Sequence, residues 1–152
     1  MSVKKQILDI VAAMETQIGT EKLPGLLSRE SRGEGNQIGC NQFREIAALC
    51  RQAESCEEIK LMIQYNIAKS KDDISWKYKC SNGKRFGDIV LSSMDKVIAI
   101  NDEVLENLEL YFGYLYWQAR VWADQKKKDD KSSSGNYNKS SNNRKPQGKK
   151  YK

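Results

Sequence analysis

The sequence predicts an all-α protein, a single domain of about five helices arranged as a bundle, with a disordered basic tail at the C-terminal end. Three observations lead to this prediction. Apolar residues recur at the three- and four-residue spacing of amphipathic helices over most of residues 1–125. Strand-like alternation is confined to residues 76–80, which are too few and too isolated to build a sheet. From Lys126 onward the chain is rich in Lys, Ser and Asn and almost free of apolar residues, a composition typical of disorder.

The first helix is predicted over residues 3–18. Its apolar positions follow helical spacing: Val3, Ile7, Ile10, Val11, Met14 and Ile18. Gly19 is a natural stop signal. Residues 20–39 contain Pro24 and several glycines, so they are predicted to form a long loop, and loops of this length in small domains are usually functional or mobile.

Three further helices are predicted between residue 41 and residue 98. Asn41 is expected to cap the second helix, and Ser55 and Glu58 have the spacing of a capping box for the third, which runs to about residue 69. A polar linker, KSKDDISWKYKCSNGKR, then leads to a fourth helix. The inward-facing residues predicted for these three helices are Phe43, Ile46, Ala47, Cys50, Ala53, Ile59, Met62 or Ile63, Ile67, Phe86, Ile89, Val90, Val97 and Ile98.

The last helix, capped by Asn101 or Asp102, carries two apolar stripes on opposite sides. The first stripe is predicted to be core and consists of Leu105, Leu108, Phe112, Leu115, Ala119 and Trp122. The second consists of Leu110, Tyr114, Trp117 and Val121. A helix that is apolar on two sides is either central in its own fold or pressed against another chain, and Tyr and Trp are enriched in interfaces. The second stripe is therefore a candidate subunit interface. A base-stacking role is less favoured, since Arg120 is the one basic residue in this stretch.

Charge is divided unevenly along the chain. Residues 126–152 carry ten Lys or Arg and two Asp or Glu, a net charge of +8, so the chain's total of +6 leaves −2 for residues 1–125. A basic tail is either a site of attraction to a polyanion or a solubilising appendage. Any nucleic-acid surface on the helical domain must then be a local patch.

The sequence offers little for catalysis. Histidine is absent, and no P-loop, GxGxxG or GxSxG motif occurs. The four cysteines are irregularly spaced, so no metal site is expected. Cys50 falls on an apolar helical face, which favours a buried free thiol there, and the expected setting is a reducing cytoplasm. We therefore predict no enzyme, no catalytic residue and no cofactor. The chain has no signal-peptide pattern and no apolar run near the roughly 20 residues of a membrane span, so no membrane partner is expected.

Basic residues of the helical domain are the candidate contacts for a phosphate backbone. Arg44 and Arg51 are seven residues apart, so they share one face of the second helix. The remaining candidates are Lys69, Lys84, Arg85 and Arg120. If the helices bring these side chains together, they could line a path for RNA.

From about residue 41 to residue 122 the chain resembles the small helical subunit of type III CRISPR effector complexes, of the Csm type, with the Cmr-type small subunit as a close alternative. The resemblance depends on three loose patterns. Gln42, Phe43 and Arg44 open a helix, Tyr65 precedes the basic Lys69 in an apolar helix, and residues 111–122 form an aromatic-rich terminal helix. The family usually has Ser or Thr before the first pattern, where this chain has Cys40 and Asn41.

The resemblance implies a non-catalytic, cytoplasmic ribonucleoprotein component of prokaryotic antiviral defence. Such subunits are all-helical, occur in several neighbouring copies, and pack along the filament of guide RNA and backbone subunits. They contact the large subunit and help to hold the duplex of guide and target RNA. By position, Arg44 is the first candidate for an RNA-backbone contact and Lys69 the second. The alternative interpretation is a helical adaptor that binds only proteins and uses its tail as a tether.

Overall fold

The chain is all-α in the computed structural model, which describes residues 2–27 and 38–133 and the side chains of residues 2–23, 26–27 and 38–124. Its helices are α1 (Val3–Ile18), α2 (Leu23–Leu27), α3 (Asn41–Cys50), α4 (Cys56–Lys69), α5 (Phe86–Ile98) and α6 (Val104–Ser133). Two single-turn 3₁₀ helices span Thr20–Lys22 and Ser75–Lys77. Within the described residues, β-structure is limited to one isolated antiparallel bridge between Lys79 and Arg85. The predicted fold class is therefore confirmed.

The first helix has the predicted bounds. The Ser2 hydroxyl caps it by accepting a hydrogen bond from the Lys5 backbone N–H at 3.1 Å, and Gly19 ends it with φ of 92°, which glycine adopts readily. The prediction of a continuous loop over residues 20–39 is wrong at its start. Leu23, Leu26 and Leu27 are buried in the core, and their burial stabilises the short helix α2. Residues 28–37 of that predicted loop lie outside the described residues.

The predicted caps of α3 and α4 need correction. Cys40, not Asn41, precedes α3, and its backbone is already helical, so Asn41 lies inside the first turn and cannot cap it. Ser55 does precede α4, but its side chain makes no capping hydrogen bond. The Glu58 carboxylate accepts from the Glu54 backbone N–H at 3.3 Å, one residue before the position that a capping box requires. In contrast, the Asn101 side chain accepts from the Glu103 backbone N–H at 2.8 Å just before α6, close to its predicted role.

The linker between α4 and α5 contributes to the core, although its sequence is mostly polar. Trp76 and Cys80 are buried. The Trp76 ring lies 6.0 Å from the Phe43 ring and 5.6 Å from the Phe86 ring, measured between centroids. These three aromatic residues join α3, α5 and the linker around one apolar cluster. The linker is therefore a structural part of the domain.

The last helix is the central element of the bundle, since it packs against α1, α2, α3 and α5. Its predicted core stripe is buried from Leu108 to Trp122, while Leu105 is only half-buried. Tyr111, which belonged to neither predicted stripe, is fully buried, and its hydroxyl donates to the Val90 carbonyl at 3.3 Å. The core face of α6 is thus wider than the predicted stripe.

The second stripe of α6 lies outside the core. Trp117 is 64% exposed and Val121 is 49% exposed, whereas Leu110 and Tyr114 are half-buried. Although α6 packs against four other helices, this stripe therefore remains partly open to solvent, most of all at Trp117. The helix itself extends to Ser133, past the predicted domain boundary at residue 125. Residues 134–152, the rest of the predicted tail, lie outside the described residues.

No helix in the described part of the chain combines the length and the apolar character that a membrane span requires.

We expect Gly87→Ala to lower the free energy of unfolding by about 1–3 kcal/mol, as overpacking usually does. A Cβ at Gly87 would overlap the Ile67 side chain and lie 3.1 Å from the Trp76 carbonyl oxygen. Gly113→Ala is the matched control, because a Cβ there meets no atom within 4 Å and alanine is favoured in helices by about 0.8–1.0 kcal/mol. Urea unfolding of both variants checks this pair; an equal loss of stability in both would contradict the packing described for Gly87.

Candidate functional site

A groove runs along the surface between α3 and α6. The two helices are antiparallel along it, because Arg44 near the start of α3 lies beside Tyr116 and Arg51 just after α3 lies beside Glu109. Its volume is about 900 Å³. The residues that line it are Arg44, Ala47, Ala48, Arg51, Glu106, Glu109, Leu110, Gly113, Tyr114, Tyr116 and Trp117.

Small side chains create this groove. Ala47 and Ala48 lie between the two arginines on α3, and Gly113 lies opposite them on α6. Since none of these residues extends beyond a methyl group, the surfaces of the two helices recede between the longer side chains at either end. A Cβ at Gly113 would enter open space. The groove is therefore lined mainly by apolar atoms, with charged groups along its edges.

One end of the groove carries one cation and two carboxylates. The Arg51 guanidinium donates from Nε to the Glu109 carboxylate, and Glu106 lies one helical turn before Glu109. The Arg51 side chain is exposed, so this ion pair contributes little to stability. The negative charge of Glu109 also adds to the effect of burial in raising the pKa of the Cys50 thiol to about 12. Arg51 is thus already engaged by a carboxylate.

The other end of the groove is aromatic and basic. The Arg44 guanidinium lies 5.4 Å from the centroid of the Tyr116 ring, a cation–π arrangement. The Tyr114 and Trp117 rings are 5.7 Å apart with an interplanar angle of 46°. Arg120 is exposed and follows Tyr116 and Trp117 by four and three residues, so it shares their side of α6. Among the described residues, no carboxylate forms an ion pair with Arg44 or Arg120.

Lys69 lies on a different surface from Arg44. It borders a hollow of about 810 Å³ between α3, α4 and the second 3₁₀ helix, on the flank of α3 that presents Gln42 and Glu45. The Lys69 ammonium lies 5.0 Å from the centroid of the Tyr65 ring. Arg44 and Lys69 are therefore separated by the body of α3.

Lys84 and Arg85 lie at the start of α5, away from both surfaces. The Arg85 guanidinium forms an ion pair with Asp88 at 2.9 Å, and this pair raises the pKa of Arg85. Lys84 is exposed on the turn before it. The six basic residues predicted to contact RNA thus divide into three locations. Arg44, Arg51 and Arg120 share the α3–α6 side.

The structure also brings together two surfaces that were predicted separately. Arg44 and Arg51 line the same groove as Leu110, Tyr114 and Trp117 of the second stripe. Val121 continues that stripe one turn beyond Trp117. Sequence reasoning missed Gly113 and Tyr116 as groove residues, because both fall between the two apolar stripes. The sequence does contain one indication of this site. Gly113 and Arg120 are seven residues apart, so a residue without a side chain and a basic residue lie on the same face of the helix.

Sequence reasoning also missed an exposed apolar pair on α4. Leu61 is 65% exposed and Tyr65, one turn later, is 60% exposed. Both residues lie on the side of α4 away from the buried Ile59, Ile63 and Ile67.

Comparisons of this chain with protein-family models, curated proteins and solved structures find no match. In the described part of the chain, no group of three or more Cys, Asp or Glu side chains is arranged to hold a metal ion.

Proposed function

We propose that this protein is a non-catalytic small subunit of a type III CRISPR effector complex, which packs along the guide RNA filament and contacts the backbone of guide or target RNA through basic residues. Its partners are then guide RNA, target RNA, the backbone and large subunits, and neighbouring copies of itself. Such a component belongs to antiviral defence in a prokaryotic cytoplasm.

The proposal depends on one observation, the way in which Gln42, Phe43 and Arg44 open α3. Phe43 is fully buried against Trp76 and Phe86, and the Gln42 side-chain carbonyl accepts a hydrogen bond from Trp76 Nε1 at 3.2 Å. These two contacts anchor the first turn of α3 and leave Arg44 exposed beside the α3–α6 groove. This arrangement gives a physical reason for a Gln-apolar-Arg pattern, since two residues fix the helix and the third is free to bind a phosphate.

Contacts of this kind bind RNA without reading its sequence. Arginine matches the geometry of a phosphate group, and binding through phosphates weakens as salt concentration rises. Arg44 is better suited than Arg51, whose guanidinium is already paired with Glu109. Lys69 would serve as a second, separate contact on the other flank of α3.

Neighbouring copies are proposed to meet along the second stripe of α6, which consists of Leu110, Tyr114, Trp117 and Val121. Leu110, Tyr114 and Trp117 also line the α3–α6 groove, and Val121 lies beyond it. Exposed aromatic and aliphatic side chains of this kind are typical of interface cores.

Co-expression with a guide RNA and the backbone subunits tests the proposal. We expect the protein to copurify with the assembled ribonucleoprotein and to be released from it by salt. Failure to copurify while the backbone subunits still assemble on the guide RNA would contradict the proposal.

We further expect Arg44→Ala combined with Lys69→Ala to weaken RNA binding by the full-length chain and to reduce its dependence on salt. Each lost phosphate contact should lower the slope of log affinity against log salt concentration by about 1. Fluorescence anisotropy across a salt series measures both quantities. Lys96→Ala, an exposed lysine on α5, is the matched control and should leave both close to the wild-type values.

A protein-only adaptor is the second candidate. The exposed Leu61 and Tyr65 pair on α4 favours it, because apolar side chains grouped on a helix surface mark protein contacts. This candidate predicts that the Arg44 and Lys69 substitutions leave RNA affinity unchanged.

A further inference from the structure

We propose that the aromatic end of the α3–α6 groove binds single-stranded RNA, with an unpaired base stacked on the Trp117 ring and the flanking phosphates held by Arg44 and Arg120. This inference rests on the proposed function and adds to it the state of the RNA, unpaired rather than duplex, and the residue that recognises it.

Trp117 is available for stacking. Its side chain is 64% exposed, although tryptophan is usually well buried in a small domain. The Tyr114 ring packs beside it at 5.7 Å, with a tilt of 46°, and limits its freedom to move. A base can stack on such a ring whatever its identity, because every base has a π-face.

The two cations near Trp117 are Arg44 and Arg120, and neither forms an ion pair with a carboxylate among the described residues. Arg44 lies across the groove over Tyr116, and Arg120 lies one turn beyond Tyr116 on the same side of α6. Glu106 and Glu109 lie at the opposite end of the groove, where Glu109 pairs with Arg51. Among the described residues at the aromatic end, two arginines accompany one exposed carboxylate, that of Asp124, which forms no ion pair, so this end has a net positive charge. From the sequence alone only Arg120 accompanied these aromatic residues; folding of α3 against α6 adds Arg44.

The shape of the groove is also suitable for binding a nucleobase. Gly113, Ala47 and Ala48 keep it open next to the aromatic end, and its volume of about 900 Å³ is within the usual range for small-molecule sites. A nucleobase inserted beside Trp117 would displace no side chain at Gly113.

The charge at this end of the groove suits a polyanion. Arg44 and Arg120 flank the exposed ring, no carboxylate among the described residues forms an ion pair with either, and RNA phosphates would supply their counter-charges. The net charge of +6 comes from residues 126–152, whereas residues 1–125 carry −2, so these two arginines form a local basic patch on the helical domain.

Tryptophan fluorescence of the full-length protein provides a direct test. The other two tryptophans, Trp76 and Trp122, are each 2% exposed, so a stacked base will quench mainly the emission of Trp117. We expect quenching on titration with an oligoadenylate of about ten nucleotides. An RNA duplex of the same length should bind with little quenching, since its bases are already stacked on one another.

Trp117→Leu separates stacking from charge. It should weaken oligoadenylate binding about 5- to 100-fold, the loss expected for one stacked base, and leave the salt slope unchanged. Arg44→Ala should lower the salt slope instead. Trp117→Phe, which keeps a smaller aromatic ring, should retain part of the affinity.

The outcomes distinguish this inference from the proposed function. If Trp117→Leu leaves oligoadenylate affinity unchanged while Arg44→Ala still lowers the salt slope, stacking is overturned and the backbone contact stands. If neither substitution changes RNA binding, both ideas fail. If Trp117→Leu instead lowers the oligomeric mass measured by light scattering, with RNA affinity unchanged, Trp117 is a contact between copies and the inference is overturned.

Discussion

Replacing Trp76 with alanine is expected to lower the free energy of unfolding by about 3–5 kcal/mol, the usual loss for a buried tryptophan. Its ring packs between Phe43 and Phe86, so the substitution leaves a cavity where α3, α5 and the linker meet. It also removes the Nε1 donor that the Gln42 side chain accepts.

Trp117→Ala is the matched control for Trp76→Ala, because it removes the same side chain from an exposed position. We expect a change within about 0.5 kcal/mol, as for most surface substitutions. Urea unfolding of both full-length variants, followed by circular dichroism, measures the difference. A loss of several kcal/mol from Trp117→Ala would place the second stripe of α6 in the core. A loss below about 1 kcal/mol from Trp76→Ala would contradict the aromatic cluster.

Alkaline pH is expected to destabilise the protein strongly, through two buried thiols. Burial raises the pKa of Cys50 to about 12 and that of Cys80 to about 11, from the ordinary thiol pKa of 9.0 in both cases. Below about pH 8 both thiols are protonated in the folded and the unfolded chain, so their contribution is constant. Between about pH 8 and pH 11 they ionise mainly in the unfolded chain, because their pKa values are higher in the folded chain. Stability must therefore fall as pH rises through this window.

The expected loss is on the order of 4–5 kcal/mol by pH 11, since each unit of pKa difference corresponds to about 1.4 kcal/mol per group. Urea midpoints measured between pH 8 and pH 11 in the presence of a reductant determine it. A variant with Cys50→Ala and Cys80→Ala should lose much less stability over the same range, although it is less stable at pH 8. An equal loss in this variant would assign the effect to other groups.

Helix positions in this protein were largely predictable because the relevant signal is local. The bounds of α1 follow from its apolar spacing and from Gly19, and the end of α4 at Lys69 was anticipated in the same way. Caps were less predictable. The predicted cap at Asn41 was wrong because α3 begins one residue earlier than expected, so Asn41 is part of its first turn. Ser55 has the extended backbone of a cap residue, but its side chain makes no capping hydrogen bond.

The candidate site was predictable only in part. Seven-residue spacing placed Arg44 and Arg51 on one helix face, and the structure has both beside the groove. The spacing could not show that Lys69 lies on the opposite flank of α3, or that Arg51 would be paired with Glu109, 58 residues away. Such relations depend on how helices pack, and packing is not encoded in the period of any single helix.

The sequence by itself determined the fold class, the bounds of α1, the end of α4 and the existence of two apolar stripes on α6, because helical periodicity and glycine stops act over a few residues. Only the tertiary structure decided which stripe is buried, that Trp76 from a polar linker completes the core, and that Arg44 faces the aromatic residues of α6. Those outcomes depend on contacts between residues far apart in the chain, and such contacts form only when the helices pack together to remove apolar surface from water.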